Sequence, residues 1–424
     1  MRANRRRFLL GAAATMTIVG ATRAAPRPRL VVVGGGPGGA TAARYAALLG
    51  RGKIEVTLVE PSPTYATCFF SNLYLGGLRG WDSLVHDYRA LGSSNALKVV
   101  PLAAARIDRD GMTVVLEDGA MLGFDRLIMA PGIDLNYGSV PGYSEAAAEA
   151  MPHAWKAGPQ TKLLKAKLDA VPDGGLIIMV APPNPYRCPP GPYERVSMMA
   201  HALRSAGKPS ARIVILDPKD KFSKMGLFQE GWERRYPGVV EWQDPTIHGG
   251  IKGVDPATMT VTTDFEARRA DLVNVIPAQT AGRIAREAGL SNVTGYCPVD
   301  PASMRSTVDP SIFVVGDASI AGDMPKSAFA ANSQAKTAVL AVLSDLAGAP
   351  AFPAHYESTC WSMITPTDCV KVDGVYEAAE GKIKEIRGFV SDTGEPDAIR
   401  RRNVDEASAW YDAMIADVFG SPST

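Results

Sequence analysis

Apolar residues follow two rhythms along this chain. Short, mostly apolar runs at 30–33, 54–59, 126–130, 176–180, 212–216 and 312–315, interrupted in the second by Glu55 and Thr57, are too short for helices and predict buried strands. Between them, stretches at about 40–49, 193–205 and 326–346 carry apolar residues at helical spacing. Strand and helix in alternation predict parallel sheets covered by helices, an α/β chain with two Rossmann-like halves. Residues 113–117 and 121–124 flank Asp118-Gly119 and predict a hairpin with a type I′ turn. After Gly348 the pattern changes. Pro350 and Pro353 mark a boundary, strands are expected at 369–372 and 383–390, and 404–419 forms one amphipathic helix whose Trp410, Tyr411, Met414 and Phe419 pack on protein. The fold class expected is α/β, two dinucleotide-binding-type domains plus a small C-terminal α+β domain.

The first strand runs into Gly34-Gly35-Gly36-Pro37-Gly38-Gly39, in which Gly34, Gly36 and Gly39 have the G-x-G-x-x-G spacing. Backbone amides at the start of the following helix face a pyrophosphate there, and the glycines permit its close approach. Glu60 closes the second strand about 21 residues past Gly39, where a carboxylate holds ribose hydroxyls. Further on, the strand at 312–315 delivers Gly316 and Asp317, and the strand at 126–130 closes at Pro131-Gly132. Together these form the pattern of two-dinucleotide-fold flavoproteins, with FAD extended across the first domain. The candidate cofactor-binding residues are thus Gly34, Gly36, Gly39, Glu60, Pro131, Gly132, Gly316 (beside its carboxylate) and Asp317, with Lys326 opening a helix whose positive end is aimed at the flavin.

The second half lacks such a loop. Its strand at 176–180 leads into Ala181-Pro182-Pro183-Asn184-Pro185-Tyr186-Arg187-Cys188-Pro189-Pro190, where prolines supply no N–H for a phosphate. That argues against NAD(P)H as electron donor, and Asp217 after the next strand reads as an ordinary turn residue. The expected domains are 25–150 with 285–348 for FAD, 151–284 for the altered half, and 349–424 for a C-terminal interface domain.

Charge narrows the ligands. With 45 basic and 44 acidic side chains among 424 residues, the net charge of +1 offers no broad field for nucleic acid. Residues 1–24 resemble a twin-arginine signal, Arg5-Arg6-Arg7-Phe8-Leu9 preceding a weakly apolar run and small residues near Ala24. That run falls short of the ~20 residues a membrane span needs, and no later segment would span. A periplasmic destination follows, where disulfides persist. Cys68, Cys188, Cys297, Cys360 and Cys369 are the five cysteines. Cys188 precedes a helix whose N-terminus can lower a thiol pKa, making it a candidate nucleophile. On spacing alone, a passive structural disulfide between Cys188 and Cys360 is the better reading, and Cys369 is a competing partner.

The chain resembles the flavoprotein subunit of flavocytochrome c sulfide dehydrogenase in Tyr65-Ala66-Thr67-Cys68-Phe69-Phe70-Ser71-Asn72, Pro152-His153-Ala154-Trp155-Lys156-Ala157-Gly158, Arg187-Cys188-Pro189-Pro190-Gly191-Pro192-Tyr193-Glu194-Arg195 and Met324-Pro325-Lys326-Ser327. The resemblance covers nearly all of the expected mature chain. It implies a thioether from Cys68 to the FAD 8α-methyl and a redox-active disulfide between Cys188 and Cys360. It also implies that hydrosulfide opens this disulfide and that electrons pass through flavin to a c-type cytochrome. Glu194, six residues past Cys188, is a candidate proton shuttle, the alternative being a charge that merely favours the helix N-terminus. No Cys-x-x-Cys-His occurs, so the haem is expected on a partner subunit. Cys297 is expected to be a packed thiol. Two rivals share these motifs: sulfide:quinone oxidoreductase, and a flavoprotein accessory of the thiosulfate-oxidising Sox system acting on a sulfur-carrier protein.

Overall fold

The computed structural model describes residues 26–92 and 96–420, so the expected leader at 1–24 lies outside it. The apolar runs form two parallel sheets. The first contains five strands in the order Ile312–Val314, Arg126–Met129, Arg29–Val33, Glu55–Val59, Leu97–Val100. The second contains four, Val240–Gln243, Arg212–Leu216, Leu176–Val180 and Leu272–Val275. Its strands fall in sequence between two neighbours of the first sheet, Arg126–Met129 and Ile312–Val314, so the chain leaves the first unit and returns to it. One apolar cluster joins the two, with Val33 and Met129 from the first sheet and Met179 and Ile215 from the second.

Helix starts differ slightly from the apolar pattern. The first helix is Pro37–Gly50, since proline suits the opening turn, whose N–H would be unpaired anyway. Gly191–Ser205 likewise opens two residues earlier than its apolar face. The helix expected from Lys326 is Ala328–Ala347: Ser327 caps it, its Oγ accepting from the Ala330 amide at 3.0 Å. The hairpin at Thr113–Leu116 and Met121–Gly123 is present, yet only Gly119 of its turn pair has positive φ (+84°), which excludes type I′.

Beyond Gly348 lies a three-stranded antiparallel sheet, His355–Thr365, Asp368–Ala379 and Lys382–Val390. The first of these strands does not stand out in the sequence, because its apolar residues are interrupted by Glu357, Ser358 and Ser362. It carries Cys360. The last helix, Asp397–Phe419, is seven residues longer than its apolar face suggests. Tyr411, Met414 and Phe419 are buried. Phe419 packs on Tyr65, His86 and Tyr88, and Tyr45, Lys336 and Asn332 all reach Asp417. The C-terminal unit is thereby clamped onto the glycine helix and the Ala328–Ala347 helix. No helix among the described residues is long and apolar enough to cross a membrane.

Candidate functional site

The strand Arg29–Val33 ends at Gly34, whose φ of +99° favours glycine and whose Cβ would strike the Ala130 carbonyl. A Cβ on Gly39 would be driven into the Gly34 carbonyl oxygen, so Gly39 serves close packing of turn and helix. Gly36 has room and lines a groove of about 370 Å³ with Gly34, Glu60, Pro131, Gly132, Gly316 and Asp317. The Glu60 carboxylate sits at one end, taking the Gly35 amide at 2.7 Å and the Ser62 amide at 2.9 Å.

At the other end, Asp317 is half-buried, and its Oδ1 is shielded from solvent with no partner among the described residues. Burial raises its pKa, against the pull of Arg187 and Lys326. An unpaired buried carboxylate oxygen needs a donor, and the ribityl hydroxyls of FAD are donors of that kind. The residues therefore fit FAD. Lys326, by contrast, stands back from the groove. Its ammonium donates to the Asp317 and Ser319 carbonyls at 2.8 and 2.6 Å and lies 4.0 Å from the Tyr296 ring centroid, bracing the strand end.

A second cavity of about 90 Å³ adjoins the groove, and Cys68, Arg187, Ser327 and Ala328 line both. Cys188, Glu194 and Cys360 line this second cavity. It is walled by Phe69, Phe70, Phe329, Trp361 and Trp410, the last two rings 5.5 Å apart. Residues more than a hundred positions apart thus meet where the altered loop, the C-terminal sheet and the flavin half converge.

All five cysteines are free thiols here, so the Cys188–Cys360 disulfide is not formed in this structure. Cys188 has a left-handed backbone (φ +56°), held by its amide on the Lys326 carbonyl and its carbonyl on the Gly191 amide, both 2.8 Å. Its pKa is raised by burial and by facing Cys360, Glu194 and Cys68, contrary to the lowering expected from the helix end. Cys360 is raised too, again by burial, but Lys224 and the hydroxyls of Ser327 and Ser358 oppose the rise. Cys369 is packed with Leu73, Met198 and Met363 and does not line the cavity. Cys297 is fully buried, with its pKa pushed up to about 11 by that burial.

Glu194 ties three elements together. Its Oε2 accepts from Asn72 Nδ2 at 2.8 Å and its Oε1 from the Met363 amide at 2.9 Å. Burial raises its pKa, outweighing those two donors. Asn72 Oδ1 takes the Nε of Arg195, whose other nitrogens bond the His153 and Ala154 carbonyls. Arg187 donates to the Trp155 carbonyl. Lys224 is invisible in the sequence, since no motif contains it; Ser327 is visible only as part of a resembling string, and Ser358 only beside Cys360.

At the C-terminal ends of the second sheet the crevice is filled. Asp217 is fully buried and pairs with Lys219 at 2.6 Å, accepting also from Tyr193 at 2.5 Å and Trp242 at 3.0 Å. Tyr193 stacks on Phe222, centroids 3.6 Å apart. Asp217 is therefore the hub of a buried network and not the ordinary turn residue expected.

Family models match three stretches: "Sulfide dehydrogenase [flavocytochrome c] flavoprotein chain, central" over residues 161–277, "Flavocytochrome c sulphide dehydrogenase, flavin-binding" over 353–419, and "Pyridine nucleotide-disulphide oxidoreductase" over 28–168. The sulfide dehydrogenase [flavocytochrome c] flavoprotein chain of Chlorobaculum thiosulfatiphilum is 57% identical over 44 residues, 10% of this chain and 90% of that sequence. The mitochondrial sulfide:quinone oxidoreductase of Schizosaccharomyces pombe is 21% identical over 231 residues, 49% of this chain and 47% of that protein. The sulfide:quinone oxidoreductase structure from Aquifex aeolicus shares the fold, with a TM-score of 0.75, 17% identity and 93% of each chain covered. Long family matches on both sides of the thiol cavity and a flavin groove beside it give one conclusion: the chain belongs to the flavoprotein chains of flavocytochrome c sulfide dehydrogenase, a flavin-binding oxidoreductase family.

Proposed function

We propose that this protein oxidises sulfide in the periplasm, with FAD attached through Cys68 and a redox disulfide between Cys188 and Cys360, and delivers electrons to a c-type cytochrome subunit. One observation carries the reading: the groove that fits FAD and the cavity holding Cys188 and Cys360 share a wall containing Cys68, Arg187, Ser327 and Ala328. Bound FAD supplies a two-electron acceptor that releases electrons singly to haem. The chain's own residues do the rest. Gly36 and the start of the Pro37–Gly50 helix face the pyrophosphate, Glu60 the adenosine ribose, and Asp317 the ribityl chain. Cys188 and Cys360 together accept hydrosulfide by thiol–disulfide exchange, and a second sulfide releases polysulfide or sulfur. Glu194, with its raised pKa, holds a proton for that chemistry at a pH where an exposed carboxyl would have lost it.

The test is sulfide-dependent reduction of cytochrome c by the chain expressed with an adjacent cytochrome, comparing wild type with Cys188→Ser and Cys360→Ser. Both variants are expected to lose turnover; full activity in either ends the disulfide reading. Flavin fluorescence remaining on the denatured polypeptide, and absent in Cys68→Ser, checks the covalent bond. Quinone reduction without any cytochrome would move the protein to the quinone-linked relatives.

A further inference from the structure

Lys224 lies outside every motif of the chain, yet its side chain ends behind the Cys360 strand. It precedes the helix Met225–Arg235 with a left-handed backbone (φ +62°). Its ammonium donates to the Cys360 carbonyl at 2.9 Å, Ser362 Oγ at 2.9 Å and the Val370 carbonyl at 3.5 Å. Three neutral acceptors solvate a cation without balancing its charge, and among the described residues no carboxylate lies within ion-pair distance of it. Lys224 is half-buried, so solvent offsets only part of the cost of leaving that charge unbalanced.

The groups that face this ammonium and can become anions are Cys360, Cys369, Glu194 and Cys188. Cys369 is enclosed by apolar side chains and does not line the cavity. Glu194 already has two donors of its own. Cys360 opens onto the cavity and has further support. The Ser327 hydroxyl accepts from the Ala330 amide and lies 3.1 Å from the Ser358 hydroxyl, so one of the pair has a proton to give. Cys188, on the opposite wall, is faced by Glu194, Cys68 and Cys360, with Arg187 as its cation.

We infer that Lys224, with Ser327 and Ser358, decides which sulfur of the pair leaves: hydrosulfide attacks Cys188 Sγ, and Cys360 departs as the thiolate they stabilise. This rests on the redox-disulfide reading above. In the step, a bond forms between the incoming sulfur and Cys188 Sγ while the Cys188–Cys360 bond breaks, its electron pair leaving on Cys360. One proton and one negative charge enter with hydrosulfide; the proton ends on the Cys188 persulfide and the charge on Cys360. The better-stabilised thiolate is the better leaving group. Lys224 touches the backbone and Ser362, so it is a positioning residue acting through Cys360.

The experiment uses the full flavin-loaded chain in its reduced state, following iodoacetamide alkylation of Cys360 against pH by peptide mass. Lys224, Glu194, Cys188 and Tyr376 all face Cys360, so each influences its titration. Wild-type Cys360 is expected to react at lower pH than Cys188. Lys224→Met should slow Cys360 alkylation at neutral pH about tenfold or more, the size of effect an adjacent charge exerts on a thiol. Lys224→Arg should restore the profile, and Ser358→Ala should shift it in the same direction by less. If Lys224→Met does not fold, the arginine and Ser358→Ala profiles decide. Anaerobic addition of sodium hydrosulfide to the oxidised chain should place the extra sulfur on the Cys188 peptide. An unchanged Cys360 profile in the variants, or extra sulfur on Cys360, overturns the inference. If the oxidised chain contains no Cys188–Cys360 bond, the proposed function fails instead, while the alkylation profile still rules on Lys224.

Discussion

The two dinucleotide-type halves share a parallel sheet and a strand-to-helix turn, and they use that turn in opposite ways. In the first, the turn at Gly34–Gly39 is stripped of side chains and leaves a groove beside it. In the second, Tyr193, Phe222, Trp242 and the Asp217–Lys219 pair occupy the equivalent crevice. Its loop swings Arg187 and Cys188 toward the first half. The scaffold alone therefore says little about what binds. What differs is whether the strand ends are kept open or filled, and a filled half still serves by presenting a cysteine at its helix start.

The strongest attack on this comparison is a side chain in the first turn. Gly39→Val collides with the Gly34 carbonyl, which is backbone and cannot step aside. Flavin absorbance per chain is expected to fall more than about tenfold, with the fold itself weakened. At the corresponding helix start of the second half, Gly191→Ala meets only the side chains of Cys188 and Trp155, each 2.9 Å from the added Cβ. There a loss of about 1–3 kcal/mol is expected, with flavin retained. Equal flavin loss in both variants would erase the distinction between an open turn and a filled one.

Next in size is the filled crevice. Asp217→Ala leaves Lys219 buried without its anion and strips acceptors from Tyr193 and Trp242. Denaturant unfolding should show a loss of about 3–5 kcal/mol, while the flavin spectrum of the folded fraction stays that of wild type. A smaller effect is expected at Asp317, provided covalent attachment is first removed with Cys68→Ser. In that background Asp317→Ala should weaken FAD binding by about 1–3 kcal/mol in a fluorescence titration, the value of one buried charged hydrogen bond. Unchanged affinity would mean that the unpaired Oδ1 meets no flavin hydroxyl.

Local chemistry explains how far the sequence can be read. Parallel strands buried on both faces announce themselves as apolar runs, so four strands of the first sheet, two of the second and the glycine turn are legible, while Leu97–Val100, Val240–Gln243 and Leu272–Val275 are not. The strand carrying Cys360 is not, because Glu357, Ser358 and Ser362 break its pattern and its pairing with Asp368–Ala379 is a tertiary fact. Lys224 is out of reach for a similar reason. One lysine among many becomes notable only when folding places its ammonium against the strand that carries a thiol. Asp217 passes for a turn residue because a turn aspartate and a buried hub look alike until Lys219, Tyr193 and Trp242 are placed around it. The Cys188 thiol departs from expectation because a helix start favours a thiolate only when burial does not outweigh it.

The smallest effect separates the two roles left open for Glu194, proton holder or simple helix-start anion. Its carboxyl pKa is raised by burial above the ordinary value near 4.5. A raised pKa means the folded chain binds the proton more tightly than the unfolded one. The stability this contributes is complete below about 4.5 and is lost as pH rises through the raised folded value. Glu194→Gln has no proton to lose. The stability difference between wild type and variant should therefore move against wild type as pH is raised from the acid side toward neutrality, by about 1.4 kcal/mol for each tenfold gain in proton affinity that burial gives the folded carboxyl. A helix-start anion stabilised by the macrodipole has a lowered pKa and predicts the opposite slope. Unfolding free energies at a few pH values distinguish the two, and a slope of that second sign would remove Glu194 from the proton chemistry and leave it as a structural anion holding Asn72 and the Cys360 strand.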